Sequence, residues 1–192
     1  ACTRAARFTP GGKAAMPDIL ALAKGIGFEY AAWFEAAGLE FRGEVREMCA
    51  ADRCRKYNRS WACPPACGSL AAMEARARRF AHGVLVQTVA ELDGDFDAEG
   101  LAGAQRVHKR RFEALARQAK LLTRGDCLPM GAGACTRCVK CTYPSRPCRH
   151  PALAHPSMEA YGLMVADVCA LAGLKYYYGP NTISYSSCIL IN

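Results

Sequence analysis

Eight of the twelve cysteines in this 192-residue chain fall into two short blocks, and that clustering constrains the fold more than any other feature. The second block, CTRCVKCTYPSRPC, sets Cys135, Cys138, Cys141 and Cys148 at C-x2-C-x2-C-x6-C spacing. The first, MCAADRCRKYNRSWACPPACGSL, carries Cys49, Cys54, Cys63 and Cys67 at C-x4-C-x8-C-x3-C spacing. Thiols this close do not all pair comfortably as disulfides, and they are too numerous for one nucleophile. With 52% of residues apolar and 22% charged, a chain of this length builds a core without disulfide staples. The blocks therefore point to metal ligation.

Three thiols at successive two-residue gaps wrap a short loop around one face of an iron–sulfur cube. A proline-adjacent fourth thiol, here Cys148 after Pro147, accompanies such runs. Structural zinc more often takes two separated C-x2-C knuckles, so Cys135, Cys138, Cys141 and Cys148 favour a [4Fe-4S] cluster over zinc. In the first block Pro64 and Pro65 stiffen the loop after Cys63, while Trp61 and Tyr57 can shield a second cluster. The C-P-P-A-C-G turn also resembles a zinc knuckle, and zinc stays the alternative there. Cys67 is the obvious fourth ligand of the first site. Three firm thiols with an exchangeable fourth position would instead describe a catalytic cluster. Of the remaining cysteines, Cys169 and Cys188 fit the core, Cys127 is the best spare ligand, and Cys2 lies in an N-terminal arm.

Helical and strand periods alternate along the chain and predict an α/β or α+β layered single domain at 16–192, following a loose arm at 1–15. The expected parts are a small mixed sheet, a C-terminal β-hairpin and two metal loops at 49–67 and 135–148. Helices are expected at 16–39, interrupted near Gly25 and Gly27, with Tyr30, Trp33 and Phe34 among the helically spaced residues. Others are expected from Ser69, over 97–123 with Val107 or Phe112, Leu115, Ala119 and Leu122 inward, and from Ser157 to about 172. Strands are expected at 83–92 and 127–133, and the hairpin in LKYYY-GPN-TISYSSCILI.

CRKYNRSWACPP, GACTRCVKCTYPSRPCRHPALAHPSMEAYGLMV and the closing YYYGPNTISY together resemble a family of cysteine-rich "predicted metal-binding proteins". This is a domain-of-unknown-function family found mainly in anaerobic bacteria and archaea. The resemblance runs from about residue 18 onward. It implies two metal sites, of iron–sulfur type, carried by Cys49, Cys54 and Cys63 and by Cys135, Cys138, Cys141 and Cys148. The family pattern lacks a firm cysteine at position 67.

The formal charge of +8 counts the thiols as neutral; two four-thiolate cubes, each carrying about −2, would bring it to roughly +4. With no binding motif beside it, this charge argues against nucleic acid. Arg106, Lys109, Arg110, Arg117, Lys120 and Arg124 read as the solvated face of the long helix, or as a dock for an acidic redox partner of ferredoxin or flavodoxin type. Ser157 and Glu159 read as the cap and first-turn acid of a helix, and His82, His108 and His155 as surface or turn residues. No transmembrane run or secretory leader stands out, and the reading is a cytoplasmic protein. Phosphate loops, dinucleotide fingerprints and Ser/His/Asp orders are absent, so chemistry falls to the metals. One-electron transfer through two clusters is the leading expectation. The alternatives are an enzyme acting on a small-molecule substrate at an open iron, and a zinc-bearing interaction module.

Overall fold

The run HGVLVQTVAE at 82–91 becomes the inner strand on which the fold is built, in a computed structural model that describes residues 16–94 and 97–192. The arm expected at 1–15 lies outside the described residues. In chain order the elements are α1 (Met16–Ile26), β1 (Tyr30–Glu35), α2 (Gly43–Ala50), α3 (Leu70–Ala77), β2 (His82–Glu91), α4 (Ala98–Leu122), β3 (Cys127–Met130), α5 (Val165–Leu171) and β4 (Thr182–Ile191). Short 3-10 turns lie at Ala36–Gly38 and Glu159–Tyr161.

The sheet order is β1-β2-β4-β3, and every pairing is antiparallel. The fold is α+β, and the expected mixed sheet is corrected. Helix α4 carries the chain back so that β3 runs in the direction of β2. Strand β4 then inserts between them and pairs antiparallel with both. The C-terminal hairpin is corrected too: 174–178 forms no strand, and the partners of β4 are distant in sequence. Tyr178 instead donates its hydroxyl to Gln87 Oε1 at 2.7 Å and stacks on Tyr30.

Alternation along the strands feeds two cores, one on each face. Val84, Val86, Ile189 and Ile191 meet Ile19 and Ala23 of α1 and Phe112, Leu115 and Ala119 of α4. Leu85, Cys188 and Leu190 meet Met73 and Ala77 of α3, Val168 and Cys169 of α5, and Tyr161. Cys169 and Cys188 are thus core residues, as their apolar neighbours in sequence imply. Phe112, Leu115 and Ala119 are buried as the α4 periodicity predicts, whereas Leu122 is exposed. Ser69 caps α3 by accepting the Ala72 N–H at 3.2 Å.

Two expected helices are shorter than their patterns. Helix α1 stops at Ile26, where Gly27 takes φ +101°, and 30–35 continues as an edge strand. Tyr30 and Trp33 are exposed there, so their helical spacing buries nothing. Phe34 is the buried residue of β1, and its ring covers Gly83 so closely that a Cβ at 83 would lie 2.2 Å from it. The helix expected from Ser157 breaks at Gly162, φ +79°, into a 3-10 turn and α5.

His108 is buried in α4, against its reading as a surface residue. Its Nδ1 lies 3.0 Å from Thr88 Oγ1 and its Nε2 2.8 Å from Ser187 Oγ. Burial first, then the charges of Arg111 and Lys109, lower its pKa to about 3; burial lowers that of His155 to about 4. An unfolded histidine takes a proton near pH 6.5. As pH falls below that value the unfolded chain binds protons the native core refuses, so native stability drops by roughly 1.4 kcal/mol per pH unit for each such histidine until its folded pKa is reached. Urea titrations at pH 7.5, 6 and 5 are expected to show stability level above about 6.5 and falling below it, with a shallower fall in His108→Gln. Equal stability at pH 7.5 and 5 would contradict this.

Candidate metal centre

Helix α2 runs into the first cysteine block and carries Cys49 in its last turn. Val45 and Cys49 are four residues apart and share a face, and buried Val45 seats that face. Arg46 fixes the helix in place by donating to Ala160 O at 2.6 Å and to Gly68 O at 2.8 Å. Beyond α2 the chain turns through Asp52, Arg55 and Asn58, all at positive φ, with Asp52 Oδ1 accepting the Tyr57 N–H at 2.9 Å. These turns return the loop so that Cys49, Cys54 and Cys63 line one cleft of about 260 Å³, together with Val45, Met48, Pro64, Ala134 and Glu159. Cys67 is not among the lining residues. Its thiol sits 3.5 Å from Met73 Sδ and packs against the α3 side of the core.

The second block hangs between β3 and the 3-10 turn. Gly131 closes its base by pairing with Ser157 in a parallel bridge, donating to Pro156 O at 2.9 Å. Cys135, Cys138, Cys141 and Cys148 all line a neighbouring cleft of about 390 Å³. Helix α4 anchors this loop: Lys109 Nζ donates to Ala134 O at 2.6 Å, Lys120 Nζ donates to Ala152 O at 2.7 Å, and Glu113 pairs with Arg137. Lys109 and Lys120, expected on a solvated face, thus belong to the support of the loop. Cys127, the expected spare ligand, lies in β3 against the α1–α4 core and lines neither cleft.

The two loops are joined to each other. Trp61 donates its indole N–H to Arg146 O at 2.9 Å and meets Tyr143 edge-on at 4.9 Å, while Tyr143 donates to Asn58 Oδ1 at 2.8 Å. Burial pushes the Cys63 thiol up to about 11, against the opposing Ser60 hydroxyl and the backbone N–H of Cys135. Burial likewise raises Cys49, reinforced by the Glu159 charge, and raises Cys67. At Cys141 burial, the largest single influence, raises the pKa, but the backbone N–H groups of Tyr143 and Trp61 and the Ser60 hydroxyl together outweigh it, so its pKa falls. Ser60 accepts the Cys63 N–H through its carbonyl at 3.1 Å and lines the second cleft, so it adjoins both blocks. Ser60 and Arg46 carry no mark in the sequence, and Lys109 looks there like part of a solvated face. Only Lys109 had a usable signal, since it falls one helical turn before the buried Phe112.

Among the described residues no three His, Cys, Asp or Glu side chains converge tightly enough for a single metal ion. Tetrahedral zinc, with Zn–S of about 2.3 Å, needs thiolates about 3.8 Å apart. The site is thus two adjoining thiol-lined clefts rather than one compact tetrahedron. Among the described residues no helix is long and apolar enough to cross a membrane.

Fold and site together define a cysteine-rich α+β protein with eight of its thiols gathered in two joined blocks. The sequence signature of the family described as "Predicted metal-binding protein (DUF2284)" matches residues 32–191, and the chain belongs to that family. Comparison with curated proteins and with solved structures gave no match.

Proposed function

We propose that the two clefts hold two [4Fe-4S] clusters and that the protein passes single electrons between them and a partner. Cys135, Cys138, Cys141 and Cys148 would hold one cluster, and Cys49, Cys54 and Cys63 three irons of the other. The observation that carries this reading is the tie between the blocks, where Trp61 of the first donates to Arg146 O of the second at 2.9 Å and Tyr143 of the second donates to Asn58 Oδ1 at 2.8 Å. Neighbouring sites of this kind suit short electron steps. Four thiols lining one cleft also suit a cube, whose ligands each bind a different iron.

The rim of the second cleft supports an acidic redox partner. Arg55, Lys56, Arg59, Arg137, Lys140 and Arg149 line it with no acidic residue among the lining, and Val139 stands fully exposed at its edge. A ferredoxin- or flavodoxin-type surface would meet complementary charge there, which speeds encounter. A dock on the loop is favoured over one along α4, two of whose lysines are committed to the loop. The charge is balanced by thiolate clusters, so the reading needs no nucleic acid. Thiols of this kind suit a reducing cytoplasm.

A second reading, an enzyme acting on a small molecule at an open iron, is favoured by one observation: Cys67 faces Met73, not the cleft. EPR-monitored potentiometric titration of protein purified without oxygen tests the main reading. It should give two reversible one-electron reductions, with line broadening from coupling between neighbouring spins. Two redox-silent metals would contradict it.

A further inference from the structure

Glu159 opens the 3-10 turn that walls the first cleft, and its Oε2 atom is buried without any hydrogen-bond partner. No ion pair to this carboxylate forms among the described residues: nearby Arg46 is spent on Ala160 O and Gly68 O, and Arg53, which also lines the cleft, makes no bond to it. A buried carboxylate oxygen left alone is costly, and natural proteins keep such groups where an ion or ligand satisfies them. The first-turn role expected from sequence does not account for it, since a three-residue 3-10 turn has almost no dipole to complement. Glu159 shares the cleft with Cys49, Cys54 and Cys63, and Cys49 Sγ lies 3.9 Å from the Glu159 carbonyl oxygen.

We infer that the Glu159 carboxylate, not the Cys67 thiol, is the fourth protein ligand of the first metal site. The inference rests on the iron–sulfur reading above. Three thiolates and one carboxylate leave one iron with a hard oxygen donor, held less firmly by a soft cluster than a thiolate is. Held this way, that iron would be the most weakly retained of the four and the one Glu159 would control. Cys67 remains a half-buried packing residue against Met73.

The test compares full-length wild type, Glu159→Gln, Glu159→Asp and Cys67→Ser, all purified without oxygen. Each is oxidised briefly, and iron loss and the three-iron EPR signal are followed. Glu159→Gln is expected to lose one iron at least about tenfold faster than wild type, Glu159→Asp to fall between, and Cys67→Ser to match wild type. In metal-free protein Glu159→Gln should melt at a higher temperature than wild type, because it removes a carboxylate whose buried Oε2 has no partner; a purely structural acid would give the opposite sign. If Glu159→Gln holds its iron like wild type, or if Cys67→Ser is the variant that sheds it, the assignment is overturned while the iron–sulfur reading stands. Wild type devoid of labile sulfide would overturn both.

Discussion

Cys138→Ser protein, purified without oxygen, is expected to carry roughly half the iron and half the labile sulfide of wild type, with the spectrum of one cluster gone. Cys138 is the middle thiol of the second block and lines the larger cleft with Cys135, Cys141 and Cys148. Serine is a poorer ligand for a soft iron–sulfur cube, and no fifth cysteine lines this cleft to replace the lost thiolate. The loop itself should stay folded. Lys109, Lys120 and the Glu113–Arg137 pair tie it to α4, and Trp61 ties it to the first block, with no contribution from the Cys138 side chain. The first site should therefore keep its metal. Cys127→Ser is the matched control, because Cys127 lines neither cleft and should leave both contents unchanged. Iron and sulfide per chain provide the readout, and full retention in Cys138→Ser would remove the second block from the ligand set.

Gly162→Ala is expected to destabilise the fold by about 3 kcal/mol, lowering the melting temperature by on the order of 10 °C. Gly162 ends the 3-10 turn at φ +79°, a backbone setting that costs a side chain about 1–2 kcal/mol. A Cβ there would also lie 2.6 Å from Leu70 Cδ1 and 2.9 Å from Arg42 O, and the second neighbour is backbone. Relief requires moving Arg42, whose N–H donates to Gly162 O at 2.8 Å immediately before α2. The strain would thus reach the first cleft from both sides, through α2 with Cys49 and through the turn with Glu159. Gly173→Ala separates the two costs: Gly173 also has positive φ, yet nothing lies within 4 Å of its added Cβ. Thermal melts should show a drop of only a few degrees for Gly173→Ala and the larger one for Gly162→Ala. Equal drops would mean that packing at Gly162 contributes nothing.

The sequence was most readable where one physical rule acted alone. A buried run flanked by turns made β2, a serine before an apolar face made α3, and a long 3.6-residue period made α4. Cysteine spacing separated the eight clustered thiols from the core thiols Cys169 and Cys188. Reading failed where tertiary partners decided the outcome. Tyr30, Trp33 and Phe34 match a helix period, yet Phe34 needs the bare backbone of Gly83 on the neighbouring strand, which only pairing with β2 supplies. The terminal tyrosines look like a strand, but β4 finds two distant partners and leaves its neighbour out of the sheet. His108 looked solvated because its hydroxyl partners, Thr88 and Ser187, lie on two different strands. Within the site, spacing alone offered Cys67 as a fourth ligand. The direction of that side chain depends on Met73, and the solitude of Glu159 on how the 3-10 turn folds over α2.

Iron, labile sulfide and zinc content of the full chain purified without oxygen test the central claim most directly. About eight irons and eight sulfides per chain, with no zinc, are expected for two cubes. About two zincs and no sulfide would contradict the account, making both blocks structural and leaving no redox centre.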